Sequence, residues 1–279
     1  MASPVVGLLH PGEMGHTVGA CAVAAGARVL WASEGRSEAS RARAESAGLE
    51  DAGDVSALAG QCEWLVSVCP PHAAVETARL AIEHGFRGRY IDANAVSPAT
   101  ARAIESEVES AGASFVDGGI IGLPARVAGT TRLYLSGAAA DEAAALFAAP
   151  LEAIAIKGGA GAASALKMSF AAWTKGTSAL LMAIRALATS EGVDDALLAE
   201  WARSIPDLPG RSTGVMHATV PKAWRFVAEM HEISATFKDA GLPAGFHASA
   251  AEVYERLAKY KDAPQPPLPA EVLAALLRG

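Results

Sequence analysis

The strongest constraint on the fold is an alternation that fills the first 157 residues and stops there. Short apolar runs of strand-like length recur in this region, at Val5–Leu9, Arg28–Ala32, Trp64–Val68, Tyr90–Asp92, Ser114–Ile121 and Thr131–Ser136. Segments of helical spacing lie between several of them, at Glu13–Ala25, Ala73–Glu83 and Pro98–Ala111. Strands that alternate with helices predict an α/β domain over residues 1–157, a doubly wound, mostly parallel sheet with helices on both faces.

Residues 158–279 show a different pattern. No strand-like run follows Gly158–Gly161, and residues 162–190 can form one long, alanine-rich helix. Further helices are predicted at residues 194–204, 222–240 and 244–259, and a short last helix follows the proline-rich linker 264–269. Alanine favours helices and their close packing. We therefore predict an all-helical second domain that begins with a long interdomain helix.

Composition excludes several classes of partner. The net charge is -7 and no block of Lys or Arg stands out, so we expect neither nucleic acid nor a membrane surface as a partner. No uncharged apolar stretch reaches membrane-spanning length. Cys21, Cys62 and Cys69 have no metal-ligand spacing, and the start of the chain lacks a secretory leader pattern. We expect reduced thiols, no metal site and a cytoplasmic protein.

The first strand runs into a glycine-containing turn and then a helix. In a doubly wound sheet, backbone N–H groups and the helix dipole at this turn bind the pyrophosphate of a dinucleotide. The glycine pattern is incomplete, because His10 stands where the fingerprint G-x-G-x-x-G has its first glycine. The alternative is an ordinary strand–helix turn with no cofactor site. The residues assigned to the cofactor are His10, Pro11, Gly12, Glu13, Met14 and Gly15.

The end of the second strand bears on which nicotinamide cofactor is preferred. An acidic residue there binds the ribose hydroxyls of NAD, whereas a basic residue with hydroxyls binds the 2′-phosphate of NADP. Glu34 is present, but so are Ser33, Arg36 and Ser37. We predict that these last three form a 2′-phosphate site, so NADP is favoured over NAD; the alternative is a solvated loop.

Three segments resemble the superfamily of 6-phosphogluconate dehydrogenase and 3-hydroxyacid dehydrogenases. They are Val68–Pro71, Ile91–Pro98 and Gly161–Ala171. Residues 223–233 are similar to a branch with a phosphogluconate-dehydrogenase-like C-terminal domain of unassigned substrate. The resemblance covers nearly the whole chain. It implies a Rossmann domain that binds NAD(P) and a helical domain that closes the site.

The resemblance also implies an acid–base residue on the interdomain helix. Lys167 matches the family's lysine by position, and burial is expected to lower its pKa toward neutrality. The family's asparagine four residues later is replaced here by Ala171. Ser164, Ala171 and Thr174 lie at three- and four-residue steps on the face of Lys167, so we assign them to substrate binding. The alternative is that Lys167 is a surface lysine.

Other positions match the family's cofactor and substrate segments. Cys69, Pro70 and Pro71 are expected to line the nicotinamide side, and Asn94 to contact nicotinamide ribose or substrate or else to cap a turn. The family recognises substrate with a Ser-Gly-Gly loop near the sixth strand. Here the segment from Asp117 to Pro124 has lost the serine, and Gly122 is predicted to keep the close backbone approach.

We assign no function to several other polar residues of the second domain. His217, His231 and His247 have no acidic partner at metal spacing, so we interpret them as packing or surface residues. Glu229 and Glu232 are interpreted as solvated acids.

Taken together, these features imply an NAD(P)-dependent dehydrogenase or reductase. Its expected reaction is hydride transfer between nicotinamide and a small hydroxyacid or alcohol/carbonyl pair. Imine reductases resemble the same family and often replace the lysine of the interdomain helix, so Lys167 favours carbonyl chemistry, while the alanine at position 171 weakens that preference. A non-catalytic NAD(P)-binding protein is a third reading. The apolar surface of the long helix and its successors favours a homodimer formed by residues beyond 160.

Overall fold

The structure is a computed structural model that describes residues 3–261, 263 and 265–278. The chain divides into two compact units, one reaching Met168 and the other beginning at Ser169. The division falls inside the long helix, whereas the pattern analysis placed the domain boundary between residues 157 and 158. The first seven residues of this helix therefore belong with the first unit.

The first unit is built on one eight-stranded sheet. Its strands are β1 Val5–Leu8, β2 Arg28–Ala32, β3 Glu50–Gly53, β4 Trp64–Ser67, β5 Arg89–Asp92, β6 Ser114–Gly122, β7 Thr131–Ser136 and β8 Leu151–Ala155. The strand order is β3-β2-β1-β4-β5-β6-β7-β8, and only the β6–β7 pair is antiparallel. The order reverses direction between β1 and β4, and in such sheets the ligand crevice lies outside the carboxyl ends of the strands at this point. The predicted α/β class is confirmed.

Helices cover the sheet and both of its faces are buried. The helices of this unit are α1 Gly15–Ala24, α2 Glu38–Ser46, α3 Val55–Gln61, α4 Ala74–Glu83, α5 Pro98–Ser110 and α6 Ala140–Ala144. Successive strand residues belong to separate apolar clusters: Leu65 and Tyr90 to one, Val66 and Ile91 to the other. Side chains alternate across a strand, so a sheet buried on both faces gives the near-continuous apolar runs seen in the sequence.

Among the described residues of the second unit, every regular element is a helix. Helix α7, Ala162–Ser190, enters from the first unit, and the others are α8 Asp194–Ser204, α9 Leu208–Thr219, α10 Ala223–Asp239, α11 Gly245–Leu257 and α12 Pro269–Leu277. The bounds of α7 and α8 match the sequence prediction. Pro264, the first residue of the predicted linker, lies outside the described residues, and residues 265–268 contain no helix or strand. Among the described residues, no helix combines the length and apolar character needed to cross a bilayer.

Several elements have no signal in the apolar pattern. Strand β3 reads Glu-Asp-Ala-Gly because it lies at the edge of the sheet, where its side chains are largely exposed. Helix α9 contains Pro209 and Gly210, which read as a turn, but proline is tolerated in a first helical turn. Helices α2, α3 and α6 and strand β8 were missed as well, because they are short and, in α2, mostly polar.

Candidate functional site

The turn between β1 and α1 is the tightest part of the predicted cofactor site. The Gly12 N–H donates to the His10 carbonyl at 2.8 Å, so the chain reverses without a glycine at position 10. A Cβ on Gly15 would lie 2.0 Å from the His10 carbonyl oxygen, whereas a Cβ on Gly12 would meet no atom within 4 Å. Gly15 is therefore required by packing. Gly12 faces open space, which is the condition for a ligand to approach its backbone.

The amino end of α1 can accept an anion. No side chain caps this end, and no acidic residue lies in its first turn. The N-terminal end of a helix carries a partial positive charge and free N–H groups, which favour phosphate oxygens. Among the predicted neighbours, Pro11 is buried, Met14 is half-buried and Glu13 is exposed.

His10 brings an unpaired polar atom to the same turn. Its Nδ1 atom is buried and has no hydrogen-bond partner within the described residues. Burial, assisted by the positive charge of Arg36, lowers the pKa of His10 to about 4, so its ring is neutral at pH 7. An unsatisfied buried nitrogen is costly, and a bound ligand would relieve that cost. His10 thus fits a dinucleotide site in which a donor group faces its ring.

Arg36 extends from the end of β2 toward this turn. Burial lowers its pKa, and its charge acts on both His10 and Cys69. The structure therefore brings the ends of β1, β2 and β4 together around one guanidinium. Both predicted hydroxyl partners already have bonds in the protein: Ser37 caps α2 by accepting from the Ser40 N–H, and Ser33 binds the Asp51 carboxylate.

A second cation at this position was missed in the sequence. Arg41 donates from Nη2 to the Ser33 carbonyl at 2.9 Å, and its Nη1 lies 3.9 Å from the Asp51 carboxylate. Arg41 lies in the first turns of α2, a helix that the apolar pattern did not reveal. The detectable signal was its place after a strand end that already carries Arg36.

The turn after β4 is held by Asn94. The Asn94 Oδ1 accepts the Cys69 N–H at 2.6 Å, and its Nδ2 donates to Ser67 and Asp92 at 3.0 and 2.9 Å. Asn94 is buried, so in this structure it ties β4 to β5. Pro70 and Pro71 follow the tied residue. Burial raises the pKa of the Cys69 thiol, which makes it a poor nucleophile at neutral pH.

The start of α7 is anchored by a buried carboxylate on β6. Asp117 accepts the N–H groups of Gly161 and Ser164 at 2.9 and 3.0 Å, and the Ser164 hydroxyl at 2.6 Å. Asp117 and Ser164 are both fully buried. Ser164, predicted to bind substrate, therefore has its hydroxyl engaged inside the protein.

Lys167 lies one helical turn beyond this anchor and is half-buried. A Cβ on Gly119 would lie 2.9 Å from the Lys167 Cβ and 2.8 Å from the Ala163 carbonyl oxygen. Gly119 thus allows α7 to pack directly on β6 and fixes the origin of the Lys167 side chain. Gly118 and Gly119 lie within strand β6, as the strand predicted at Ser114–Ile121 requires.

Gly122 ends β6 with a φ of +131°, and a Cβ there would lie 2.1 Å from the Thr130 carbonyl oxygen. The close backbone approach predicted at Gly122 is therefore made by the protein's own chain at the start of β7. Substrate contact at Gly122 stays a prediction.

The remaining predicted residues belong to the second unit. Ala171 is buried and Thr174 is half-buried, with its hydroxyl bonded to the Phe170 carbonyl at 3.2 Å. Lys175 donates to Glu229 at 2.5 Å, and both side chains are largely buried. The interpretation of Glu229 as a solvated acid is wrong, because a lysine on another helix draws it inward. His247 packs between Phe237 and Phe246, as a packing residue should.

These observations fit a dinucleotide better than a metal. Open backbone at Gly12, the uncapped end of α1, the unpaired His10 nitrogen and the nearby guanidinium all suit an anionic ligand with hydrogen-bond donors. Within the part of the chain that the structure describes, no group of three or more His, Cys, Asp or Glu residues could hold a metal ion.

Comparison with known families gives two matches. The profile described as the NAD binding domain of 6-phosphogluconate dehydrogenase matches residues 5–161, and a domain of unknown function matches residues 188–257. An uncharacterised 28.5 kDa protein of Methanothermus fervidus is 31% identical over 167 residues. That match covers 59% of this chain and 63% of the relative's length.

Solved structures share the fold over nearly the full chain. A conserved protein of unknown function, reported as similar to 3-hydroxyacid dehydrogenases, is 27% identical with a TM-score of 0.69, covering 92% of this chain and 97% of its own. The 3-hydroxyisobutyrate dehydrogenase of Mycobacterium tuberculosis is 17% identical with a TM-score of 0.73 and full coverage of both chains. An imine reductase from Myxococcus stipitatus, in complex with NADP+, is 16% identical with a TM-score of 0.58, covering 98% of this chain and 100% of its own.

Proposed function

Since this chain belongs to the family defined by the NAD binding domain of 6-phosphogluconate dehydrogenase, we propose that it is an NAD(P)-dependent oxidoreductase acting on a small hydroxyacid or alcohol/carbonyl pair. The observation that carries the reaction class is Lys167. It is the half-buried lysine that packs beside β6 in the same unit as the β1–α1 turn. The nicotinamide, when bound, supplies or accepts the hydride.

Lys167 supplies the proton transfer in this proposal. In the oxidising direction the amine of Lys167 takes the proton from the substrate hydroxyl while the carbinol hydrogen leaves as hydride. In the reducing direction its ammonium gives a proton to the carbonyl oxygen. Asp117 binds the start of the helix that carries Lys167, so the main chain from which the Lys167 side chain extends is held against the sheet.

NADP is the proposed cofactor, with NAD less favoured. Arg36 and Arg41 place two cations at the end of β2, where the 2′-phosphate of NADP would lie. Asp51 and Glu34 oppose this preference, because an acidic group at that position suits the free ribose hydroxyls of NAD. Arg41 lies near enough to Asp51 to offset its charge, which leaves the half-buried Arg36 against the exposed Glu34, and the proposed preference for NADP rests on Arg36.

Imine reduction is the second candidate, and Ala171 favours it. The family asparagine at this position would hold a substrate hydroxyl through its carboxamide, and a buried methyl group provides no hydrogen bond. An imine nitrogen requires only a proton donor, which Lys167 provides.

One screen separates these functions. NADPH oxidation is followed at 340 nm against panels of oxo acids, aldehydes and cyclic imines, with NADH in parallel. Turnover of an oxo acid or aldehyde supports the carbonyl reaction, and turnover of imines alone selects the second candidate. Tight NADPH binding without turnover of any panel would favour a non-catalytic binding protein and contradict the proposal.

We further propose that the protein forms a homodimer through its second unit. On the part of α7 that belongs to the second unit, four large apolar side chains are exposed and recur at helical spacing: Phe170, Trp173, Leu180 and Leu187, with 46%, 62%, 42% and 62% of their surface accessible. A stripe of this kind on a monomer is an interaction surface. Light scattering at micromolar concentration should report twice the 28.4 kDa chain mass. A monomer would contradict the proposal.

A further inference from the structure

A row of four buried polar side chains crosses the sheet at the carboxyl ends of β4 and β5. Ser67, Asp92, Asp117 and Ser136 are directly opposed on the four neighbouring strands β4 to β7. Each of the four is fully buried. We call this set the polar row. Buried polar groups persist where their hydrogen bonds are made, and the row has two distinct sets of partners.

One end of the row holds α7. Asp117 accepts the two N–H groups at the start of that helix, and Ser136 accepts the Ala163 N–H at 3.0 Å. Ser136 also donates to Asp117 at 3.2 Å. The charge of Asp117 is therefore offset by a helix N-terminus.

The other end of the row holds the turn after β4. The Asp92 carboxylate accepts the Asn94 N–H at 3.0 Å and the Asn94 Nδ2 at 2.9 Å. Those two bonds fix the carboxamide so that its Oδ1 faces the Cys69 N–H, 2.6 Å away. Within the described residues, both hydrogen bonds accepted by the Asp92 carboxylate come from Asn94, so the carboxylate acts on the turn through that residue.

We propose that Asp92 is a positioning residue that, through Asn94, sets the main chain at Cys69 and hence the turn over residues 69–71 beside the cofactor. The polar row then joins two parts of the reaction centre on one rigid sheet: the turn that faces the nicotinamide and the helix that carries Lys167. The cofactor part of this inference rests on the proposed function. The hydrogen-bond part does not.

Hydrogen-bond polarity gives a sharp test. Asp92→Asn alone leaves one acceptor oxygen for the two donors of Asn94, so the new NH2 must face either the Asn94 N–H or its Nδ2, and the support of the carboxamide is weakened. The double variant Asp92→Asn/Asn94→Asp restores the bonds: the side-chain bonds of residue 94 to residues 92 and 67 reverse direction, while the main-chain N–H groups of Cys69 and residue 94 donate as before. The carboxylate at position 94 accepts the Cys69 N–H, the amide at position 92 and the Ser67 hydroxyl. The same number of charges remains.

The readout is the rate at which iodoacetamide alkylates Cys69, measured by peptide mass spectrometry at fixed pH. A released turn exposes the thiol, so Asp92→Asn should raise this rate by about tenfold, which is the effect expected when one buried hydrogen bond is lost. The double variant should return to within about twofold of wild type. NADPH affinity, measured by fluorescence titration, should fall and recover in parallel.

Ser136→Ala is the matched control. It removes a buried hydroxyl from the opposite end of the row without touching Asn94, so it should lower Tm and leave the Cys69 rate within about twofold of wild type. An unchanged Cys69 rate in Asp92→Asn, or a double variant no better than the single one, would overturn the inference. If Asp92→Asn does not fold, the double variant decides: a folded protein with the wild-type Cys69 rate supports the inference, and an unfolded one refutes it. A wild-type protein that binds no NADPH would refute the proposed function while leaving the Cys69 result intact.

Discussion

The β1–α1 turn and the polar row lie in the same unit of the protein and differ in how far their polar groups are hydrogen-bonded. At the turn, within the part of the chain that the structure describes, the His10 Nδ1 has no hydrogen-bond partner, α1 has no side-chain cap and Gly12 faces open space. In the row, the carboxylates of Asp92 and Asp117 each accept at least two hydrogen bonds. In both regions the polar groups lie at or close to strands of the same sheet.

The difference separates binding from positioning. Groups that must meet a ligand keep unmade hydrogen bonds and empty space, and this costs stability. Groups that must hold other groups in place are saturated and buried, because a partly satisfied buried network is destabilising. Substitutions should therefore affect ligand binding at the turn and geometry or stability at the row.

The largest effect is expected at Lys167, which the saturated region positions. Lys167→Met keeps most of the side-chain bulk and removes the exchangeable proton, so turnover should fall by about a hundredfold or more while NADPH binding persists. Steady-state kinetics and fluorescence titration measure the two quantities. Lys157→Met, at an exposed lysine just after β8, is the matched control and should retain turnover. A Lys167→Met protein with the wild-type rate would direct attention to Lys175.

The two glycines of the turn sharpen the comparison. Gly12→Val adds a side chain in the space reserved for the ligand, so cofactor affinity should fall by tenfold or more, roughly 1.4 kcal/mol, with Tm little changed. Gly15→Ala should do the reverse, because its Cβ would lie 2.0 Å from the His10 carbonyl oxygen and the fold itself must yield. Titration calorimetry measures the cofactor affinity of both variants, and scanning calorimetry measures their Tm. Equal loss of Tm in the two would show that the turn has no open side.

Substitution of Arg36, whose charge acts on His10 in the β1–α1 turn, tests the preference for NADP over NAD. Arg36→Ala should weaken NADPH binding by about tenfold and NADH binding much less, since a charge-assisted bond to the 2′-phosphate is lost. The pKa of His10 should rise from about 4 at the same time, because the Arg36 charge helps to lower it. NMR titration of the imidazole reports that shift. Arg43→Ala, on α2, serves as control, and an Arg36→Ala protein that still prefers NADPH would contradict the assignment.

The smallest expected effect is a pH dependence of stability from Asp92. Burial, with Asp117 nearby, raises the pKa of Asp92 to about 7, above 3.8. The folded state then binds a proton more readily than the unfolded one, so this group's contribution to stability is full below pH 3.8 and is lost as pH rises toward 7. His10 acts in the opposite sense, since its lowered pKa adds stability as pH rises from 4 to 6.5.

Comparison of wild type with Asp92→Asn isolates the carboxylate from the histidine. From pH 4 to 7, the Tm of wild type should fall by a few degrees relative to that of the variant, which corresponds to about 1 kcal/mol or more. Parallel Tm curves over that range would mean that Asp92 titrates normally.

Much of the first unit was predictable, because its physics is local. A strand that is buried on both faces must be apolar throughout, and a turn before a helix needs glycine where backbones approach closely. These demands appear at Val5–Leu9 and at Gly15. The edge strand β3 and the polar helix α2 meet neither demand, and the pattern passed over them.

The roles of polar residues needed the tertiary structure. Asn94 lies two residues from Asp92 in the chain, but its bond to Cys69 spans 25 positions, and the bonds of Asp117 to Gly161 and Ser164 span 44 and 47. Nothing in the neighbouring residues of Glu229 predicts that Lys175 will bury it. The sequence by itself determined the α/β alternation of the first unit, the strand–turn–helix segment that begins at Val5 and the long helix that carries Lys167. Only the folded chain decided which polar atoms are satisfied and which are left for a ligand, because a hydrogen bond depends on distances between strands that the linear order does not specify.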